Sequence, residues 1–188
     1  LVINDERLIQ RAEIIWEKGT DRSAFFRGEI DKYGWVDLGS SFLMSDLNAA
    51  FLYGQLEKSD EIQNRRTQTW HRYENEFMEL NKNTSFRIHE IPKESTNNAH
   101  LFYLVASDEK KRDVLISALK EKKVHAVFHY QSLHKSQFIK SQNLPIQVCE
   151  NSDLYSTRLL RLPLYADLND SEVDHIIRSV KEIANAIG

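Results

Sequence analysis

Residues 17–50 read EKGTDRSAFFRGEIDKYGWVDLGSSFLMSDLNAA. From residue 20 to residue 44 no helical or strand period runs through this stretch. It carries Gly28, Gly34 and Gly39, and the aromatic side chains Phe25, Phe26, Tyr33, Trp35 and Phe42. A loop of this length inside a compact domain is uncommon and is usually functional or disordered. So many large rings disfavour disorder. Two readings are left. One is a loop that covers the edge of a core. The other is a binding loop whose aromatic walls are joined by the cationic Arg22, Arg27 and Lys32, groups suited to a phosphorylated ligand.

Toward the N-terminus, Leu1 to Ile3 reads as the end of a buried strand that lacks its beginning, so a fragment of a larger protein is expected. Asn4 is placed as an N-cap, with Asp5 and Glu6 where the helix dipole favours carboxylates. Leu8, Ala12 and Ile15 recur at helical spacing beside Trp16, and Gly19 is placed to end that helix after Lys18. Toward the C-terminus, Ser45 or Asp46 caps a new helix with a first apolar stripe of Leu47, Ala50, Phe51 and Gly54. The stripe thins across KSDEIQNRR and resumes with Ile62, Thr69, Tyr73, Phe77 and Leu80. Unbroken, this helix runs about 35 residues, or roughly 50 Å. Its polar middle predicts an exposed or bent section in a helix that bridges two domains. A coiled coil fits less well, because the heptad lapses there.

The remainder reads as a small α+β unit. Phe86, Ile88 and Ile91 suggest a strand ended by Pro92, and AHLFYLVA at 99–106 a second, mostly apolar one. Asp108 starts a helix with Val114, Leu115, Ala118 and Leu119 on one face. Residues 124–130 form a third strand, rich in β-branched and aromatic residues. A polar stretch, a short helix near 150–160 and an LPLY segment precede a last helix from Asn169 or Asp170. Val173, Ile176, Ile177, Val180 and Ile183 mark its buried face.

The 188 residues are 41% hydrophobic and 28% charged, with a net charge of −3. Such a chain suits one domain, or one domain with part of another. No apolar run reaches the roughly 18 residues of a membrane-spanning helix. A mildly acidic chain lacks the positive field that phosphate-backbone binding needs, so nucleic acid is not expected as a partner. The lone Cys149 cannot form an internal disulfide, and a cytoplasmic location is the expectation. His125, His129 and His134, with Cys149 further on, match no recognised zinc spacing, so no metal is expected. His129, Tyr130 and His134 nonetheless cluster where a strand gives way to a loop, a position suited to ligand contact. No G-x-S-x-G and no phosphate-cradling glycine motif occurs. Lys18 and Lys32 border or occupy the aromatic loop, without a pattern that supports a Schiff-base role. The residues offer a binding surface and no catalytic group.

Residues 17–50 resemble the pyridoxal phosphate-dependent sugar-nucleotide aminotransferases, and most closely their dTDP-4-amino-4,6-dideoxygalactose transaminase subgroup. VFHYQSLH at 127–134 is similar to that family's H-Y-x-P-L-H segment. RLLRLPLYADLNDSEVDHII at 158–177 is similar to its L-P-L-y segment and final helix. The blocks occur in family order and span nearly the whole chain.

The resemblance implies an α+β fragment, the C-terminal part of a fold type I, aspartate aminotransferase-like enzyme. Residues 1–44 are then the tail of the large cofactor domain with an active-site loop, 45–80 the interdomain helix, and 81–188 the small domain. It implies a homodimer with active sites built from both subunits. The lysine that binds the cofactor lies upstream of the segment matching Leu1, so these residues alone are expected to be inactive and to hold cofactor weakly or not at all. In many members an Asn in a G-x-N-x-R-[ML] context reaches the cofactor phosphate across the dimer. Ser41 in GSSFLM takes that position, and its hydroxyl can donate one such bond. Arg22, Tyr33, Trp35, His129, Tyr130 and His134 are the implied substrate contacts. Ser132 stands where the family has proline, which is expected to loosen that turn. The implied reaction moves an amino group from glutamate to C4 of dTDP-4-keto-6-deoxyglucose, feeding a bacterial surface polysaccharide such as O-antigen or enterobacterial common antigen. A 3-amino transaminase, a dehydratase of the same fold, or a binding module reusing the small domain are the alternatives.

Overall fold

Phe102, Leu104 and Ala106 alternate along one strand and face a core; Tyr103 and Val105 between them face the other way. In the computed structural model, which describes residues 2–142, 145 and 147–188, this strand is central to the second of two units, Lys58–Gly188; the first is Leu1–Glu57.

The second unit holds four strands in the order β1-β2-β4-β3, every neighbouring pair antiparallel. They are β1 (Phe86–Ile88), β2 (Phe102–Ala106), β3 (Val127–Phe128) and β4 (Leu159–Leu162). Leu104 pairs with both Ile88 and Leu160, and Phe128 pairs with Leu160. One sheet face carries Phe86, Phe102, Leu104, Leu160 and Leu162 into the core. Helices α4 (Ser59–Phe77), α6 (Glu109–Glu121) and α9 (Asp170–Ile187) supply the other half of that core. α9 buries Val173, Ile176, Ile177, Val180 and Ile183, the face its periodicity marks. It opens with a reciprocal cap: the Asn169 side chain accepts from the Glu172 N–H, and the Glu172 carboxylate accepts from the Asn169 N–H. Asp108 caps α6 by accepting from the Lys111 N–H.

Several expectations need correction here. β4 was not expected at all: RLLRLPL follows directly on α8 (Glu150–Arg158), and its leucines read as easily as helix. The third strand is short, because only Val127 and Phe128 pair with β4. Trp70 is fully buried beside Tyr73 and Phe77, although the sequence stripe passed over it. Within α6, Leu115 and Leu119 are buried but Val114 is exposed. The polar stretch after β3 holds a 3₁₀ turn, Leu133–Lys135, and α7 (Gln137–Ser141).

In the first unit, Glu6–Leu8 is a 3₁₀ turn capped by Asp5 rather than Asn4, and it leads into α1 (Ile9–Trp16). No strand forms at residues 2–5, and Val2 is exposed; Leu1 lies outside the described residues. α2 (Arg22–Phe26) is a short helix inside the aromatic stretch. α3 (Asp46–Glu57) follows, with the Ser45 hydroxyl accepting from the Asn48 N–H. The long helix is therefore segmented. α3 ends at Glu57, Lys58 leaves helical geometry at φ −108°, ψ 12°, and α4 and α5 (Leu80–Asn83) follow in the second unit. Leu47 and Phe51 are exposed, not a buried stripe.

Candidate functional site

The aromatic loop is positioned by backbone, not by core burial. α1 ends in a left-handed turn at Lys18 (φ 65°) and Gly19 (φ 80°), and the Gly19 N–H reaches back to the Ile14 carbonyl at 2.7 Å. The Gly19 carbonyl then accepts from both Val36 N–H (2.8 Å) and Asp37 N–H (3.0 Å). Ser40 N–H donates to Ile15 O, Lys18 N–H to Ser40 O and Phe42 N–H to Trp16 O. These bonds place Trp35 opposite Thr20 and Ser41 opposite Glu17. The backbones at Gly19 and Gly39 come so close that a Cβ on either would overlap the other strand of the crossing. The Asp21 carboxylate adds a 2.7 Å bond from the Gly34 N–H, and Arg11 pairs with Asp37.

On this frame the sequence-predicted residues fall into two sets. Arg22 lies over the Phe26 ring at 5.0 Å, Phe26 meets Phe25 edge-on at 5.7 Å, and Phe25 meets Tyr33 at 5.6 Å. Arg22 and Tyr33 are thus joined through two phenylalanines. Trp35, 78% exposed, and Ser41, also exposed, stand on the stretch stitched to the end of α1. Arg27 is not a free cation for a phosphorylated ligand: it is paired with Glu29 (2.7 Å) and Glu13 (3.1 Å), which raise its pKa further.

The second unit holds His129, Tyr130 and His134. The His129 and Tyr130 rings are tilted against each other at 4.7 Å. Burial, and secondarily the Arg161 charge, hold the His129 imidazole below its usual pKa range. His134 Nε2 is instead 3.1 Å from Asp153, which also binds Lys135 at 2.9 Å. The Lys135 bond is the main reason that the Asp153 carboxyl sits below its usual range. His129 and His134 thus share one segment but engage different partners. At Ser132, where a looser turn was expected, the side chain is hydrogen-bonded. The Ser132 φ of −61° is one that proline also adopts, and its buried hydroxyl accepts from Ser152 Oγ at 3.0 Å and donates to Ser156 Oγ at 3.1 Å. Asp21, Asp153 and Arg161 all escaped the sequence reading. Only Arg161 left a period-2 trace, a charge between Leu160 and Leu162.

The two imidazoles of this unit that burial perturbs predict its acid response. His89 stacks on Tyr103 at 4.1 Å with Nδ1 3.3 Å from the Tyr103 carbonyl, and burial lowers its pKa, as for His129. The unfolded chain takes up these protons at about pH 6.5, the ordinary range of histidine, while the folded unit resists them. Their contribution is therefore present above about pH 6.5 and is lost as pH falls through the lower folded pKa values. The urea midpoint, followed by circular dichroism, is expected to be lower at pH 5 than at pH 7.5. His89→Gln is expected to shrink that difference.

Residues 1–181 match the DegT/DnrJ/EryC1/StrS aminotransferase family. Among solved structures, the aminotransferase TlmJ from Streptoalloteichus hindustanus superposes with a TM-score of 0.81 at 22% identity, over 98% of this chain and 46% of its own. Spr1654 from Streptococcus pneumoniae, in its PLP-form, gives 0.82 at 20% identity, over 99% of this chain and 45% of its own. PseC from Helicobacter pylori, an aminotransferase of pseudoaminic acid biosynthesis, gives 0.82 at 19% identity, over 98% of this chain and 48% of its own. The chain thus spans about half the length of the structures it matches, and its fold is the C-terminal part of theirs. With 181 of its 188 residues inside the family match, the chain belongs to the DegT/DnrJ/EryC1/StrS aminotransferase family.

Proposed function

We propose that this chain is the C-terminal part of a pyridoxal phosphate-dependent sugar-nucleotide aminotransferase. The observation that carries the reading is the family match over residues 1–181. The loop geometry supports it. Ser41 is exposed on a backbone fixed by α1, and no hydrogen bond to another described residue engages its hydroxyl. One free hydroxyl fits one oxygen of a cofactor phosphate. The cofactor, when bound, supplies the electron sink for amino transfer. The chain's own residues orient and enclose. Trp35 and Tyr33 offer flat apolar faces to a base or sugar, Arg22 a cation to a phosphate, and His129, Tyr130 and His134 polar contacts to the substrate.

In this reading residues 1–44 complete the large domain, 45–80 connect, and 81–188 form the small domain. Leu47, Phe51, Tyr53 and Leu56 of α3 are exposed in this chain. Apolar side chains spread around a helix in this way suit burial on more than one side, against the rest of the enzyme or a second subunit of a homodimer. The amino donor is glutamate and the acceptor C4 of dTDP-4-keto-6-deoxyglucose, in the making of a surface polysaccharide in the cytoplasm. No helix among the described residues is long and apolar enough to cross a membrane.

The test uses the protein extended upstream to its natural start. Adding glutamate to the pyridoxal phosphate-loaded protein is expected to convert the cofactor's absorbance from its pyridoxal to its pyridoxamine form, and the keto-sugar to reverse it. The 188 residues alone are expected to do neither. A loaded protein whose spectrum ignores glutamate and every other amino donor overturns the reading.

A further inference from the structure

A cleft of about 490 Å³ opens in the second unit between the end of α6, the segment that follows β4 and the first turns of α9. That volume is usual for a small-molecule site. His125, just before β3, lines it; His129 and Tyr130, just after β3, do not. Its walls are pinned from three directions. α6 ends in a left-handed turn at Lys123 (φ 62°), where the Val124 N–H returns to the Leu119 carbonyl at 2.9 Å. From α9, His175 Nε2 holds the Lys122 carbonyl at 2.8 Å, and Glu182 pairs with the Lys122 ammonium at 2.8 Å. Tyr73 Oη donates to the Pro163 carbonyl at 3.0 Å, and the Asn169–Glu172 cap fixes the start of α9. A cleft held in this way is formed before a ligand arrives, which lowers the cost of binding.

We propose that this cleft binds a planar aromatic acid, a ring system that bears one carboxylate. The buried Val124 and Ile176 and the half-buried Pro163 and Leu168 give it an apolar lining, from which a ring displaces water. The rings of His125, His175 and Tyr165 add flat surfaces. His175 Nε2 carries the proton given to the Lys122 carbonyl, so its neutral ring leaves Nδ1 to accept from one N–H or O–H of the ligand. The charges select the acid. Lys122 is paired with Glu182, but among the described residues no carboxylate pairs with Lys123, the one lysine in the lining. Glu172 also lines the cleft, but its carboxylate is engaged by the Asn169 N–H at the positive end of α9. One carboxylate therefore answers the Lys123 ammonium. A phosphate dianion brings a second charge that nothing in the lining balances, and an aromatic amine meets an unpaired ammonium. None of this rests on the aminotransferase reading.

The test titrates the 188-residue chain with indole-3-acetate, indole-3-acetamide, tryptamine and inorganic phosphate, and follows the His125 and His175 imidazole resonances by NMR. The expected result is a saturable shift with indole-3-acetate, binding of the neutral amide at least about fivefold weaker, and no saturable shift with tryptamine or phosphate. Lys123→Met is expected to bring indole-3-acetate down to the affinity of the amide and to leave the amide where it was. Ser171→Trp, at an exposed lining position of α9, is expected to fill the cleft and abolish the binding of both. If Lys123→Met fails to fold, Lys123→Gln carries the same arm. No saturable shift with indole-3-acetate, tryptamine or phosphate binding as tightly, or unchanged affinity in the folded variants overturns the proposal. So does a shift of the His129 resonances without those of His125 and His175, which would place the ligand elsewhere in the unit.

Discussion

Phe102→Ala is expected to destabilise the second unit by about 3–5 kcal/mol, the range for truncating a fully buried aromatic residue. Phe102 has no exposed surface and lies where three elements meet: its ring is 5.5 Å from Trp70, 5.3 Å from Tyr73, 5.9 Å from Phe77 and 5.1 Å from His89. Its removal leaves a void that cannot close easily. Tyr73 is tied by its hydroxyl to the Pro163 carbonyl, and Trp70 by its indole N–H to the Leu101 carbonyl. Those anchors hold the surrounding rings in place, so the lost contacts are not recovered. Phe102→Met fills most of the volume and forfeits mainly the edge-to-face geometry, a loss of under about 2 kcal/mol. Urea unfolding of both variants, read with the amide exchange of β2 and β4, checks this. Equal destabilisation by the two substitutions would show that ring geometry, not the void, dominates.

How much of this was legible in the sequence differs by element. α9 was nearly all legible: its apolar spacing and burial are local and the structure keeps them, while the start, left between Asn169 and Asp170, is fixed by the Asn169–Glu172 cap. β4 was not. Leu159, Leu160 and Leu162 carry no β-branched signal, and the strand exists because β2 and β3 lie on either side of it. The segmentation at Lys58 was legible only as a thinning of the apolar stripe. At the site, the residue types of the loop pointed to ligand contact, and the structure seats Trp35 and Ser41 on a fixed backbone. What escaped were the residues that work by pairing at a distance. Asp153 meets His134 across 19 positions and Arg161 stands beside Val127 across 34, and no local period reports such contacts. Arg27 misled for the same reason, because Glu13 binds it from another helix.

The crossing of Gly19 and Gly39 is where the loop is most vulnerable. Gly19→Ala is expected to release residues 34–42 from α1 while the second unit stays folded. A side chain at φ 80° is strained by about 1–2 kcal/mol before any contact is counted. Here the added Cβ also overlaps the Asp37 carbonyl and lies 2.9 Å from the Trp35 indole nitrogen. The Asp37 carbonyl belongs to backbone, which cannot rotate away as a side chain would. Relief requires that the Val36 and Asp37 N–H bonds to the Gly19 carbonyl open. A combined penalty of at least about 3 kcal/mol follows, and the exchange of those two amides is expected to rise at least about 100-fold. Gly39→Ala meets the Gly19 backbone from the other side and is expected to behave alike. Gly34→Ala, with nothing within 4 Å of its Cβ, is expected to change exchange little. Unchanged exchange at Val36 and Asp37 in Gly19→Ala would show that the loop holds without the crossing. If the loop does come free, Trp35 and Ser41 lose their placement together, and cofactor affinity in the extended protein falls without any loss of the groups that would touch the cofactor.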